Sequence, residues 1–305
     1  VDVDLKVKDE LPVHGDIELN DRYSNDTEKL RLSASLRYTN LWQREHAVSL
    51  QYQTAPEDFD QISIVSMTYM FRQDNANIFN VFYAVNSKTG IATVGDFGQG
   101  LSVNGDGQIF GYRRIYPFAP VDGLAQSLTI GADYKDFMEA IESNLSVGSG
   151  SAALSETPIE YLTFTASYNA TQQWKNGKTG FNIGASFGVR GLVNDLEEFE
   201  NKRFHGKPNF IIFTGGINHS SQLLWGMSTT TSIAFQLADT PLVSNERFSA
   251  GGVNTVRGYL ESQISGDDAV VYKSEIRSPS LGKHITEKID NWTFALFVEA
   301  AHCHE

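Results

Sequence analysis

The 305-residue chain has a single cysteine, Cys303, so no internal disulfide framework can form. No run approaches 18 apolar residues, which excludes a transmembrane helix. Lys and Arg together number 24 against 37 Asp and Glu, a net charge of −13, and a nucleic-acid partner would need a basic stripe instead. Signature spacings for catalysis are missing too: there is no H-E-x-x-H, no G-x-S-x-G and no G-x-x-x-x-G-K-S/T. Gly95-Asp96-Phe97-Gly98-Gln99-Gly100 has the wrong spacing for a dinucleotide fingerprint. His302-Cys303-His304 puts adjacent ligands together without a second cluster, a poor zinc site. Asp267 and Asp268 read as a turn, because no other carboxylates stand at calcium-loop spacing. The reading is of a protein that is not an enzyme and uses no cofactor or metal. The first residues, VDVDLKVKDE, are charged and alternating and do not have a signal-peptide pattern.

What is present is alternation. In 30–39 the apolar set Leu30, Leu32, Ala34, Leu36, Tyr38 alternates with Arg31, Ser33, Ser35, Arg37, Thr39. The same period recurs in 46–53, 162–169 and 181–190. Strands with one apolar and one polar face suit a lipid-facing wall around a wet lumen. Mean hydropathy of −0.27 is compatible with such a barrel, whose inward and outward residues cancel, but also with a soluble protein. Aromatic residues at 11% and 26 glycines fit interfacial girdles and turns; a soluble β-sandwich could share them. Further strands are predicted at 61–71, 77–86, 108–118, 124–137, 210–219, 223–238, 269–277 and 292–301. Glycine-rich 90–107 reads as a surface loop, 138–156 as a mobile loop and 194–208 as a charged loop.

The longest interruption is 248–279, FSAGGVNTVRGYLESQISGDDAVVYKSEIRSP. A connection of about 30 residues is rare unless functional or disordered. Its own apolar anchors, Phe248, Val253, Val256, Tyr259 and Ile264, argue for order. Gly251, Gly252 and Gly258 permit φ > 0 and close backbone approach. The register F-x-A-G-G-x-x-T-V-R-G-Y, a G-D-D turn and a strand ending E-x-R-x-P resembles the sixth extracellular loop of the outer-membrane translocase superfamily that includes BamA. It is most similar to the two-partner secretion transporters such as FhaC and ShlB. Leu11-Pro12-Val13-His14-Gly15, Asn40-Leu41-Trp42 and Gln53-Thr54-Ala55-Pro56-Glu57 resemble the same group.

That resemblance implies an all-β fold, a transmembrane antiparallel β-barrel with 16 strands in the family, of which about 13 are expected here. Residues 1–14 are then the remnant of the last periplasmic POTRA domain. Residues 15–305 form a C-terminally incomplete outer-membrane barrel, with 239–268 its long inward-folding loop. Upstream POTRA domains and about three further strands would lie outside the chain. In the family the loop arginine pairs with an acid on the inner barrel wall. Arg257, within Gly251, Gly252, Val256, Arg257, Gly258 and Tyr259, is the corresponding cation. Phe294-Ala295-Leu296-Phe297-Val298-Glu299-Ala300 matches the strand motif, with Glu299 where aspartate is usual. Period 2 independently turns Glu299 away from the apolar face of Trp292, Phe294, Leu296 and Val298. The implied function is export of a large unfolded β-helical exoprotein of haemolysin, adhesin or contact-inhibition type across the outer membrane of a Gram-negative bacterium. The implied partners are that exoprotein and outer-membrane lipid, with the transporter itself a monomer. An alternative is a BamA- or TamA-like insertase; a diffusion porin would give no reason for the 248–279 register.

Overall fold

The computed structural model describes residues 11–25, 27–73, 77–88, 91–94, 101–104, 106–141, 155–282 and 292–305. Residues 1–10, most of the stretch read as a periplasmic remnant, lie outside them, as do 95–100 and most of the loop predicted at 138–156.

Among the described residues the alternating segments form a 13-stranded antiparallel sheet. Its strands are β1 (Val13–Asn20), β2 (Arg31–Leu41), β3 (His46–Thr54), β4 (Ser63–Arg72), β5 (Phe79–Lys88), β8 (Asp106–Pro117), β9 (Leu124–Ile141), β10 (Ser155–Trp174), β11 (Gly177–Gly188), β12 (Ile211–Gln222), β13 (Ser228–Ala238), β16 (Asp268–Arg277) and β17 (Ala295–His304). Each sequential neighbour in this series pairs with the next, and β1 and β17 are the two edges. Two further ribbons complete the strands: β6 (Ile91–Val94) with β7 (Leu101–Asn104), and β14 (Phe248–Ala250) with β15 (Ile264–Gly266). The stretch predicted as a plain glycine-rich loop therefore carries a short ribbon.

Alternation sets the two faces. Leu36 and Leu50 face each other across β2–β3 and are about half exposed, as are Met67, Phe82, Phe110 and Ile217 on the same outer surface. Their polar neighbours turn inward. Apart from the 278–294 connection, hairpin ends are short on one side, as at Asp122–Gly123, where φ of 48° and 79° make the tight turn a twisted ribbon needs. The other side carries the long connections, which in outer-membrane barrels is the extracellular end. About 9–11 residues suffice for a strand to cross a bilayer; β9 has 18 and β10 has 20, so both project beyond it.

Only residues 163–174 of β10 pair with β11, which leaves 155–162 with an uncovered edge. The segment predicted as a charged loop covers it. Helix α1 (Leu196–Lys202) starts at Asp195, whose side chain accepts from Glu197 N. Glu197 and Glu198 sit in its first turn and Lys202 in its last, matching the helix dipole. Leu162 N donates to Asn194 Oδ1 at 2.8 Å, Glu160 N to Glu198 Oε2 at 3.0 Å, and Lys202 Nζ to Thr157 O at 3.0 Å. An open edge is thereby satisfied by side chains instead of another strand.

Behind this helix the lumen is filled by an apolar core. Phe199 of α1, Phe210, Tyr161, Phe137 and Ile109 pack there with Leu242 and Val243 from the connection after β13. All lie near the long-loop end of their strands.

Candidate functional site: a loop bound to the inner wall

Residues 239–267 leave β13 at that same end and fold inward. The connection touches β9 and β10 near its start, β16 and β17 at its tip, and the segment after β1 on its return. One short segment reaches all three only because the sheet curls around it.

Its stem is fixed by buried polar groups. Glu246 pairs with Lys135 of β9 and accepts from Tyr161 Oη at 2.7 Å. Gln236 Nε2 bridges the outgoing and returning arms, donating to Glu246 O and Asp267 O, both at 3.1 Å. Asp267 Oδ2 accepts from Arg203 Nη2 at 2.9 Å, which joins the returning arm to the end of α1. Asp268 Oδ1 accepts from Ala238 N at 2.8 Å. The two aspartates read as a turn are thus a loop-to-loop junction. Among the described residues no group of three His, Cys, Asp or Glu could hold a metal. Strand alternation in β17 turns Cys303 away from His302 and His304.

The tip takes its shape from glycine. Gly251, Gly252 and Gly258 have φ of 119°, 88° and 91°. A Cβ on Gly251 would lie 2.2 Å from Leu260 O, and one on Gly252 2.1 Å from Glu261 Cδ, whereas Gly258 has open space around it. Thr255 Oγ1 closes the turn, accepting from Gly251 N at 2.7 Å and donating to Gly251 O at 2.8 Å. Gly258→Ala should therefore cost only the left-handed backbone, about 1–2 kcal/mol. Gly251→Ala adds a backbone clash and should expose the tip to protease far more; equal cleavage of the two variants would refute this ranking.

The turn presents Arg257 to the wall. Arg257 Nη2 and Nε lie 2.6 and 2.7 Å from Glu299 Oε1. Glu299 Oε2 accepts from the Arg257 backbone N at 2.7 Å. Both oxygens of the longer glutamate are thus used, one by the guanidinium and one by the backbone. Arg257 Nη1 donates to Glu275 Oε2 at 2.7 Å, and its Cζ lies 3.7 Å from the centroid of the Phe297 ring. Lys273 pairs across the strands with Glu299 and donates to Asn254 O at 2.7 Å. Arg277 also pairs with Glu275. Three cations and two carboxylates share this patch, with the Glu299 side chain only 4% exposed. Val256, next to the arginine in sequence, is buried, while Tyr259 is 60% exposed.

Glu275 and Phe297 were missed as site residues by sequence reasoning. Glu275 stands in the E-x-R-x-P register, but the signal that picks it out is period 2: Lys273, Glu275 and Arg277 share the inner face of β16 opposite Phe297 and Glu299 of β17.

A curled antiparallel sheet with an apolar outer face and a long loop folded onto its inner wall defines an outer-membrane β-barrel of the BamA-like kind. Within that class the model of the family of the haemolysin secretion/activation protein ShlB/FhaC/HecB matches residues 153–300, just under half of the chain. Its place is accordingly the outer membrane of a Gram-negative bacterium. CdiB from Escherichia coli has the same fold with a TM-score of 0.70 at 15% identity, covering 97% of this chain and 56% of that one. CdiB from Acinetobacter baumannii gives 0.62 at 14% identity, covering 96% and 50%. BamA from Haemophilus ducreyi lacking POTRA domains 1–3 gives 0.59 at 11% identity, covering 96% and 58%. The chain therefore spans 50–58% of the length of these structures. Comparison with curated proteins gives no significant match.

Proposed function

We propose that the protein of which this chain is part is a two-partner secretion transporter that exports a large, unfolded, β-helical exoprotein through its barrel. The family match over residues 153–300 carries the reading. The loop geometry supports it, because a 29-residue connection held to the inner wall by ion pairs at stem and tip is a feature that a passive diffusion pore gives no reason for. In this reading residues 1–14 end a periplasmic POTRA domain that receives cargo, and 15–305 are barrel, with 239–268 the loop that governs the conduit. Arg257 locks the loop to Glu299, and Gly251, Gly252, Val256, Gly258 and Tyr259 shape the turn around it. No nucleotide or other cofactor takes part, and the driving force is folding of the cargo outside. The transporter acts as a monomer in outer-membrane lipid and performs no catalysis.

The test is co-expression of the full-length transporter with the large exoprotein encoded beside it. Cargo in the medium or on the cell surface, lost when the transporter is deleted while other outer-membrane barrels assemble normally, is the expected result. The BamA-type insertase reading, which the 0.59 superposition on BamA keeps in view, requires the reverse: deletion depletes other barrels and leaves the exoprotein unaffected.

A further inference from the structure

The outer wall between β4 and β10 is not evenly filled. Two rows of outward residues cross it. One pairs Met67, Ala84, Phe110, Tyr134 and Leu162 from strand to strand, and the next pairs Tyr69, Phe82, Tyr112 and Ala132. Ala84 and Ala132 stop short where their neighbours are aromatic, and a furrow of about 470 Å³ lies among them. An acyl chain fills such a furrow for the reason a core side chain fills a void: wall atoms that lack neighbours recover dispersion contacts.

Two residues further along β8, toward the short turns, alternation places a cation on the same face. Arg114 pairs across the strands with Asn80 and Ile130. A charge on the lipid face is tolerated near the interface and costly at the midplane. Trp42, Tyr69, Phe71, Phe82 and Tyr112 make a continuous row of ring contacts beside it, the girdle that marks such an interface. From Arg114 to Phe110 is about 14 Å along the strand, and the hydrocarbon of one leaflet is about 15 Å thick. The cation thus stands at head-group level, and the furrow reaches from it toward the midplane. Among the described residues Arg114 meets a single acceptor, Gln73 Oε1 at 2.8 Å from Nη2, and its Nε is buried without one. Its Cζ lies 5.5 Å from the centroid of the Tyr116 ring, which holds the fork against the wall. A neutral amide leaves the positive charge uncompensated, and phosphodiester oxygens suit the guanidinium fork. Its row neighbours Phe71, Asn80 and Ile130 supply no carboxylate for an ammonium head group.

Resting on the reading of the chain as a barrel in outer-membrane lipid, we propose that this furrow and Arg114 form a site for one anionic glycerophospholipid of the inner leaflet. Its phosphate lies on the guanidinium, and one acyl chain lies along Ala84 and Ala132.

The full-length protein in a nonionic detergent, titrated with phosphatidylglycerol under native mass spectrometry, tests this. Wild type should bind one lipid saturably, in preference to phosphatidylethanolamine, and inorganic phosphate should not displace it. Arg114→Gln should weaken this step roughly tenfold, and Arg114→Lys should weaken it less. Ala84→Trp, which fills the furrow and leaves the cation, should lose binding as Arg114→Gln does. Heat-modifiable migration of all three variants should match wild type. Equal binding by wild type, Arg114→Gln and Ala84→Trp would mean a non-specific annulus and overturn the site. Displacement by inorganic phosphate would overturn it as well, by marking a free-anion site. Equal affinity for phosphatidylethanolamine would overturn the anionic head group. Cargo plays no part in these measurements, so each of these results leaves the export reading standing; that reading falls only if the full-length protein exports nothing.

Discussion

Arg257→Glu in the full-length protein is expected to cut export at least tenfold while the barrel still inserts and shifts on a gel when heated. The wild-type arginine makes four polar links to two carboxylates and stacks on Phe297. Its side chain is 29% exposed, so water screens part of this. Charge-assisted hydrogen bonds contribute about 1.5–3 kcal/mol, and breaking a pair that leaves the nearly buried Glu299 exposed to no cation of the loop costs more. Taking about 2–4 kcal/mol for the attachment, the ratio of bound to free tip falls roughly 30- to 1,000-fold. A glutamate adds repulsion by placing three carboxylates together. Glu299→Arg should fail in the same way, facing Arg257 and Lys273. The double exchange should recover part of the export. Full recovery is not expected, because Glu275 then repels the new glutamate, and adding Glu275→Gln should raise it further. Cargo in the medium is the readout; three variants that export like wild type would make Arg257 an ordinary loop residue.

The strands were legible because each satisfies two solvents at once. Leu32, Ala34, Leu36 and Tyr38 must face lipid and Ser33, Ser35 and Arg37 the lumen, and this writes period 2 directly into the residues. Thirteen strands were expected and 13 are described in one sheet. The bounds slipped where turn chemistry is unusual: Trp42, Gln43 and Glu45 all take positive φ without being glycine. Helix α1 was read as a charged loop because it is seven residues long and buries only Phe199. Its signal was the Asp195 cap followed by two glutamates. The apolar plug was not legible, since Leu242, Val243, Phe199 and Tyr161 come from three distant segments and have no common period. Glu275 was hidden differently. It belongs to a quoted motif, but its role depends on which acid the Arg257 fork reaches, and that is a matter of register between β16 and β17.

The stem gives the second large effect. Glu246→Ala should destabilise the barrel's outer half by about 3–5 kcal/mol, because it strands a lysine whose side chain is only 10% exposed. It also leaves the hydroxyl of the fully buried Tyr161 without its acceptor. Among the described residues Lys135 Nζ then keeps the Tyr161 ring, 5.6 Å from its centroid, which cannot replace a carboxylate. Removing all three polar partners together, as Lys135→Met, Tyr161→Phe and Glu246→Leu, should restore most of the loss, since apolar groups of similar size suit the surrounding core. Heat-modifiable migration and protease cleavage within 239–267 measure this: the single variant should unfold at lower temperature and be cut at the stem, the triple should resist both. The Arg257–Glu299 contact is on the far side of the loop, so export by the triple variant should stay near wild type. A Glu246→Ala protein with unchanged melting and cleavage would show that the stem is held by its apolar residues alone, and the buried ion pair would then matter only for register.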